Sequence, residues 1–271
     1  GVRIVGDTPL GLMHGVGKFL RTSGYGKRSF SPSAWRGTSV PECSLRGMYC
    51  AFNFNNWYAA SRRDLFARYM EELALWGFNA VLLGVTLPDL LNPEKDRARI
   101  DDAREALAAV KEAGMGAGLL TCPNISRNPA PKGAEAQKFP DANPPRRGWV
   151  TPSVCPSHPE GYAYLEKMLD AYLAGYEDIG VDYIGSFPYD AGGCGCKDCW
   201  PWGARGFVTV SKLFSRLMKK RYPTAKFIVT TWCFDVLEQP DGEYEGLDRE
   251  LRKDRSWADY VMVDSHFEFP E

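Results

Sequence analysis

The sequence predicts an α/β fold of the (β/α)8 TIM-barrel type, and three observations predict it. Strand-like and helix-like segments alternate from residue 44 to residue 271. Such repeated βα units imply a parallel sheet, because each crossover helix returns the chain to start another strand in the same direction. Finally, no GxGxxG and no Walker-type glycine loop follows any strand-like run, which argues against an open nucleotide-binding sheet. A barrel needs eight units and about six are visible, so the expectation is a barrel truncated after the sixth. Residues 43–271 form this partial barrel. Residues 1–42 read as the tail of a preceding small α/β domain plus a linker.

The elements follow in order. In the N-terminal piece, GVRIVGD reads as a strand and LGLMHGVGKFLRTSGY as a helix with Leu12, Val16, Phe19 and Leu20 on one face. A Ser- and Pro-rich loop, about 29–41, leads into the barrel. Residues 46–54 are the first barrel strand. A helix over 62–76 places Leu65, Phe66, Tyr69, Leu73 and Trp76 on one stripe, with Ser61 as N-cap and Gly77 as stop. Strands at 80–88 and 116–122 flank a helix over 94–113 that ends at Gly114. Residues 123–150 are rich in Pro, Gly and Asn without periodicity, a long loop of the kind that walls a cleft. A helix at 159–178 begins with Pro159 in its first turn. Strands at 181–187, 226–232 and 258–264 alternate with helices at 206–221 and 243–254.

Composition narrows the partners. A formal net charge of −1 gives no electrostatic case for nucleic acid or an acidic membrane surface. The sequence holds no run of 18 apolar residues, so no membrane span is expected. Eight cysteines are too few for a disulfide scaffold in a chain of 271 residues. Most lie on or beside apolar strands, which favours a reducing, cytoplasmic compartment. The chain starts at Gly1 without Met, so the expectation includes a cut N-terminus.

The most specific stretch is VDYIGSFPYDAGGCGCKDCWPW, residues 181–202. It puts a carboxylate, three cysteines spaced C-x-C-x2-C and two tryptophans just past a strand, where chemistry collects in parallel α/β proteins. GDTPLGLMHGVGKFLR resembles the end of the small domain that precedes the barrel in family 20 hexosaminidases and family 67 α-glucuronidases. RGMYCAFNFNNWY, LALWGFNAVLL, VCPSHPEG and PYDAGGCGCKDCWPWG together resemble a bacterial group related to those glycoside hydrolases. The resemblance covers nearly the whole chain and implies carboxylates at the carboxyl ends of barrel strands. Family 20 carries an adjacent Asp-Glu pair after the fourth strand, and here Asp190 is followed by Ala191. Substrate-assisted hexosaminidase chemistry therefore lacks its second residue. Family 67 draws acid and base from the ends of different strands, near the fourth and sixth, which Asp190, Asp264 and Glu268 match in position.

Glycosidic cleavage uses two carboxyl groups, about 5–5.5 Å apart for retention and about 6.5–9.5 Å for inversion. Asp190 is the first candidate, against the plainer reading of a turn cap before Gly192 and Gly193. Asp264 and Glu268 are candidates for its partner. Alternation puts His266 on the same face as both, and a polar, solvated tail is the alternative. Asp235, after the fifth strand, is a candidate substrate contact. So are Asn53, Asn55 and Trp57 after the first strand, since amides bond sugar hydroxyls and aromatic faces pack on sugar rings. Trp202 and Trp232 could serve likewise, or simply pack the barrel rim. Hydrolysis needs no cofactor. Cys194, Cys196 and Cys199 could hold a structural Zn²⁺ with Cys155 or His158 as fourth ligand, or form a reduced or oxidisable loop. The expected function is glycoside hydrolysis on a glycan or oligosaccharide. A non-catalytic carbohydrate-binding barrel and a metal-dependent enzyme built on the cysteine loop are the alternatives.

Overall fold

The computed structural model describes residues 1–54, 56–139, 152–188, 193–235 and 242–263. In chain order the elements are α1 (Pro9–Arg21), β1 (Gly24–Gly26), β2 (Ser29–Ser31), β3 (Gly47–Cys50), α2 (Trp57–Ala60), α3 (Arg63–Trp76) and β4 (Ala80–Gly84). A 3₁₀ turn (Pro93–Asp96) leads into α4 (Arg97–Glu112) and β5 (Gly116–Thr121). Then come α5 (Pro159–Ala174), β6 (Tyr183–Ser186), α6 (Gly206–Arg221), β7 (Lys226–Thr230), α7 (Glu243–Lys253) and β8 (Tyr260–Met262). Strands β3 to β8 form one sheet whose spatial order equals the chain order. The pairs β3–β4, β6–β7 and β7–β8 are parallel. A doubly wound sheet reverses its strand order at a switch point, and this one does not.

The chain divides into two compact units, residues 1–84 with 102–118, and residues 85–101 with 119–271. In the first unit the Thr8 hydroxyl caps α1 by accepting the Gly11 N–H at 2.9 Å. The buried residue of α1 is Gly17, which lies against the Leu75 carbonyl with no room for a side chain. Close approach of α1 to α3, rather than an apolar stripe, sets this packing: Leu12 and Leu20, expected inside, are exposed. On α3 the buried face is Phe66, Met70, Leu73 and Ala74, rotated from the expected stripe. Leu65 and Trp76 are exposed, and the Arg21 guanidinium covers the Trp76 ring at 4.9 Å.

Two further expectations are corrected here, and one helix is added. Residues 1–6 form no strand; the short strands of this region, β1 and β2, follow α1 and pair with each other in a small antiparallel hairpin. Ser61 does not cap α3; it closes α2, and Arg62 sits at the α3 N-cap without a side-chain bond. Helix α2 itself was not foreseen; Asn56 starts it by accepting the Ala59 N–H.

In the second unit, α5 and α6 pack on each other and bury Leu165, Met168, Leu169 and Tyr172 from one and Phe207, Val210, Phe214 and Leu217 from the other. Ile184 of β6 and Phe227, Ile228 and Val229 of β7 complete this core. Each such side chain contributes about 2 kcal/mol by leaving water. The Tyr222 hydroxyl, buried beside it, donates to the Leu173 carbonyl at 2.6 Å. The core fixes where β6 and β7 end, and so where their following loops begin.

Candidate functional site

The segment after β6, described from Gly193 onward, carries Cys194, Cys196 and Cys199. These three meet Cys155, which precedes α5, and all four Sγ atoms lie within 4.8 Å of one another. Cys155 Sγ is 3.7 Å from Cys196 Sγ and 3.7 Å from Cys199 Sγ. Cys194 and Cys199 are fully buried and Cys155 nearly so, while Cys196 is half-buried. The set completes the C-x-C-x2-C motif with Cys155 rather than His158, the other candidate. His158 stands at the N-cap of α5 and is not among the four clustered donors.

The local sequence explains this geometry. Gly193 has φ +112°, a conformation that side chains resist, and a Cβ there would meet the Phe139 ring. At Gly195 a Cβ would strike the Lys138 carbonyl. The alternating C-G-C pattern thus lets the loop run flush against residues 137–139. The Gly195 N–H donates to the Gln137 carbonyl at 2.8 Å, and the Phe139 and Trp200 rings meet at 4.7 Å.

Asn124 joins the two cysteine-bearing segments from beneath. It is fully buried. Its Nδ2 donates to the Val154 and Gly193 carbonyls, both at 3.2 Å, and its Oδ1 accepts the Gly193 N–H at 3.1 Å. The Val154 N–H in turn donates to the Asn124 carbonyl at 2.9 Å. One amide therefore holds the residues preceding both Cys155 and Cys194. The sequence reading missed it, because a lone Asn in a Pro- and Asn-rich stretch resembles a turn residue.

The sulfur atoms hydrogen-bond to one another and shift each other's acidity. Hydrogen bonds from the Cys194 and Cys199 thiols push Cys155 down to about 2. The bond to Cys155 is the main cause that raises Cys194 to about 12, and it raises Cys199 as well. The Gln137 N–H points at Cys194 Sγ at 3.4 Å, and the Ser157 hydroxyl lies 3.1 Å from Cys199 Sγ.

A second polar cluster holds the loops after β4 and β5. The Asp89 carboxylate accepts the Leu91 and Asn92 N–H groups at 3.0 and 2.9 Å and Asn128 Nδ2 at 2.7 Å. The Asn128 bond is the largest cause that lowers Asp89 to about 2. Asp96, 1% exposed, is paired with Arg99 at 3.0 Å and Arg127 at 2.6 Å. Arg99 also donates to the Thr86 carbonyl at 2.8 Å.

Other expected site residues fall in different places. Asp190, Asp264, Glu268, His266 and Asn55 lie outside the described residues. Asn53 and Trp57 belong to the first unit. Asn53 is exposed, and its Oδ1 overlies Gly84 at the end of β4. Trp57 is 47% exposed and meets Tyr69 edge-on at 5.4 Å, so part of its surface is open to a ligand. Trp232, half-buried, stacks on Phe187 at 5.7 Å. Two expectations are corrected. Trp202 is 0% exposed, packed on Gly206 and Phe207, and so offers no face to a sugar. Asp235 is the N-terminal clamp of α7: its carboxylate accepts the Glu243 and Tyr244 N–H groups, both at 3.0 Å. Buried Glu243 answers by accepting the Gly203 and Asp235 N–H groups.

No helix among the described residues is long and apolar enough to cross a membrane. No family profile and no curated protein sequence matches the chain. Among solved structures it is similar to a glycoside hydrolase family 20 β-N-acetylglucosaminidase, with a TM-score of 0.63, 12% identity, and coverage of 95% of this chain and 60% of that one. It is also similar to CpGH89 from Clostridium perfringens, in complex with its substrate GlcNAc-α-1,4-galactose, at a TM-score of 0.60, 14% identity, and 96% and 34% coverage. A chitobiase from Flavobacterium johnsoniae follows at 0.53, 12% identity, and 93% and 42% coverage. The chain thus shares a fold with glycoside hydrolases and spans 60% or less of the length of these three.

Proposed function

We propose that this chain carries six strands of the (β/α)8-type catalytic barrel of a glycoside hydrolase acting on a glycan or oligosaccharide. The observation that carries the reading is the sheet: six strands in chain order, with candidate carboxylates following β6 and β8 in sequence. Chemistry in such sheets collects at the carboxyl ends of the strands. Asp190 follows β6 by four residues and Asp264 follows β8 by two. In this reading Asp190 is the general acid or a substrate contact, and Asp264 or Glu268 supplies the second carboxyl group. The fold shared with a β-N-acetylglucosaminidase and with CpGH89 supports a sugar substrate. The absence of a Glu beside Asp190 favours acid and base from different strands over participation by a substrate amide. Trp57, exposed after β3, and Asn53 are candidate sugar contacts.

The test is Asp190→Asn in the complete protein, assayed on chromogenic glycosides and mixed oligosaccharides. A general acid contributes about 10²–10⁴-fold, so kcat should fall by that factor while the melting temperature holds. Unchanged kcat removes Asp190 from the mechanism. Saturable oligosaccharide binding by the wild-type protein without any turnover replaces the hydrolase reading with a binding barrel.

A further inference from the structure

We propose that Cys155, Cys194, Cys196 and Cys199 bind one Zn²⁺ as a closed tetrathiolate that ties the loop after β5 to the loop after β6. The assignment holds whether or not the chain cleaves glycosides.

Geometry comes first. Four sulfurs at the corners of a tetrahedron around zinc, with bonds of about 2.3 Å, stand about 3.8 Å apart. Two of the Sγ–Sγ separations are 3.7 Å, and every pair lies within 4.8 Å. A disulfide would bring two sulfurs to about 2.05 Å, and all four cysteines are free. A cluster of several irons would hold its ligands apart by its own bulk, whereas this spacing suits a single ion.

The donor set comes second. Thiolates alone select a soft or borderline ion in tetrahedral geometry. Zn²⁺ accepts that geometry without electronic preference and fills it in buried structural sites. The surroundings suit anionic sulfur, with the Gln137 N–H on Cys194 and the Ser157 hydroxyl beside Cys199. Outer donors of this kind orient metal ligands. No Lys or Arg side chain bonds any of the four sulfurs among the described residues, so a bound dication would supply the missing positive charge.

Backbone preparation comes third. Gly193 and Gly195 admit the tight course of the loop, and Asn124 sets the two segments in register. The ligands are brought together from 44 residues apart in the case of Cys155 and Cys199. An ion bridging them closes a long loop, and Asp190 lies in the sequence between the end of β6 and Cys194. The staple therefore borders the segment that carries the first candidate acid.

The experiment uses the full chain, purified without chelator and without an immobilised-metal step, and measures bound metals by plasma mass spectrometry. About one zinc per chain is expected, since closed tetrathiolate sites bind tightly. Replacement by Co²⁺ should give thiolate-to-cobalt charge-transfer bands and the intense visible bands of a tetrahedral ion. The Cys196→Ser/Cys199→Ser double variant should lose the zinc, while Cys43→Ser, at an exposed and unclustered cysteine, should keep it. Less than about 0.2 equivalents of metal, iron in place of zinc, or a disulfide from Cys155 to any of the other three in fresh protein overturns the assignment. Full zinc in the double variant does so too. If that variant fails to fold, stoichiometry and the cobalt spectrum of the wild-type sequence decide. Loss of kcat in Asp190→Asn with zinc retained separates this site from the catalytic reading.

Discussion

Two clusters fasten strand-end loops in the second unit, and they do so by opposite means. Between the loops after β4 and β5, carboxylates meet guanidinium and amide groups: Asp96 with Arg99 and Arg127, Asp89 with Asn128. The charges there cancel within the protein. Between the loops after β5 and β6, sulfur meets sulfur, with only an N–H and a hydroxyl beside it. The first staple is complete from its own residues, whereas the second asks for a cation from outside. The difference teaches that a strand-end polar cluster need not be an active site, and that the unbalanced cluster is the one that implies a ligand.

The comparison breaks most visibly at Asp96. Asp96→Ala leaves two guanidinium groups facing each other and removes the acceptor of the Asp89 N–H. Removing one partner of a buried ion pair costs about 3–5 kcal/mol. With Arg99 and Arg127 partly exposed, the lower end of that range is expected in denaturant unfolding at neutral pH. Zinc content should not change. A loss under about 1 kcal/mol would make this an ordinary surface pair and remove the contrast.

Asn124→Ala probes the other staple without touching a sulfur. It deletes three hydrogen bonds and strands buried groups of Val154 and Gly193. Each buried unsatisfied group costs about 1–3 kcal/mol, and partial relaxation should hold the total to about 2–3 kcal/mol. If the ion is the stronger tie, the variant keeps its zinc and loses only stability. Loss of zinc at unchanged stability would make Asn124 a positioning residue for the metal and little else.

What the sequence disclosed follows from how local each signal is. Period and punctuation placed α3 to within one residue, because Gly77 ends it in a left-handed conformation that Gly alone enters freely. Cys194, Cys196 and Cys199 announced themselves by spacing. Cys155 could be offered only alongside His158, since nothing local separates two donors three residues apart. Asn124 gave no signal because its partners lie 30 and 69 residues away, and Asp96 gave none because its second guanidinium, Arg127, comes from a different strand-end loop 31 residues on. Trp202 and Asp235 were misread for the same reason. Their position after a strand is legible, but whether a ring is covered by Phe207 or a carboxylate is taken by α7 depends on packing.

The smallest expected effect is on the acid limb of stability, and it separates the two staples by charge. Asp89 is held at about 2 against an ordinary 3.8, chiefly by Asn128 and then by the Asn92 and Leu91 N–H groups. A depressed carboxyl favours folding once it is ionised in both states. Its contribution is therefore fully present above the ordinary value and is lost as pH falls through that value toward about 2. Asn at this position cannot titrate. Melting temperatures measured from neutral pH down to about pH 2 should fall less steeply for Asp89→Asn than for the wild-type protein, with the two curves converging at the acid end. Parallel curves across that range would mean that the Asn128 and backbone bonds serve neutral and charged carboxyl alike. The staple after β4 would then be held by hydrogen bonding rather than by charge.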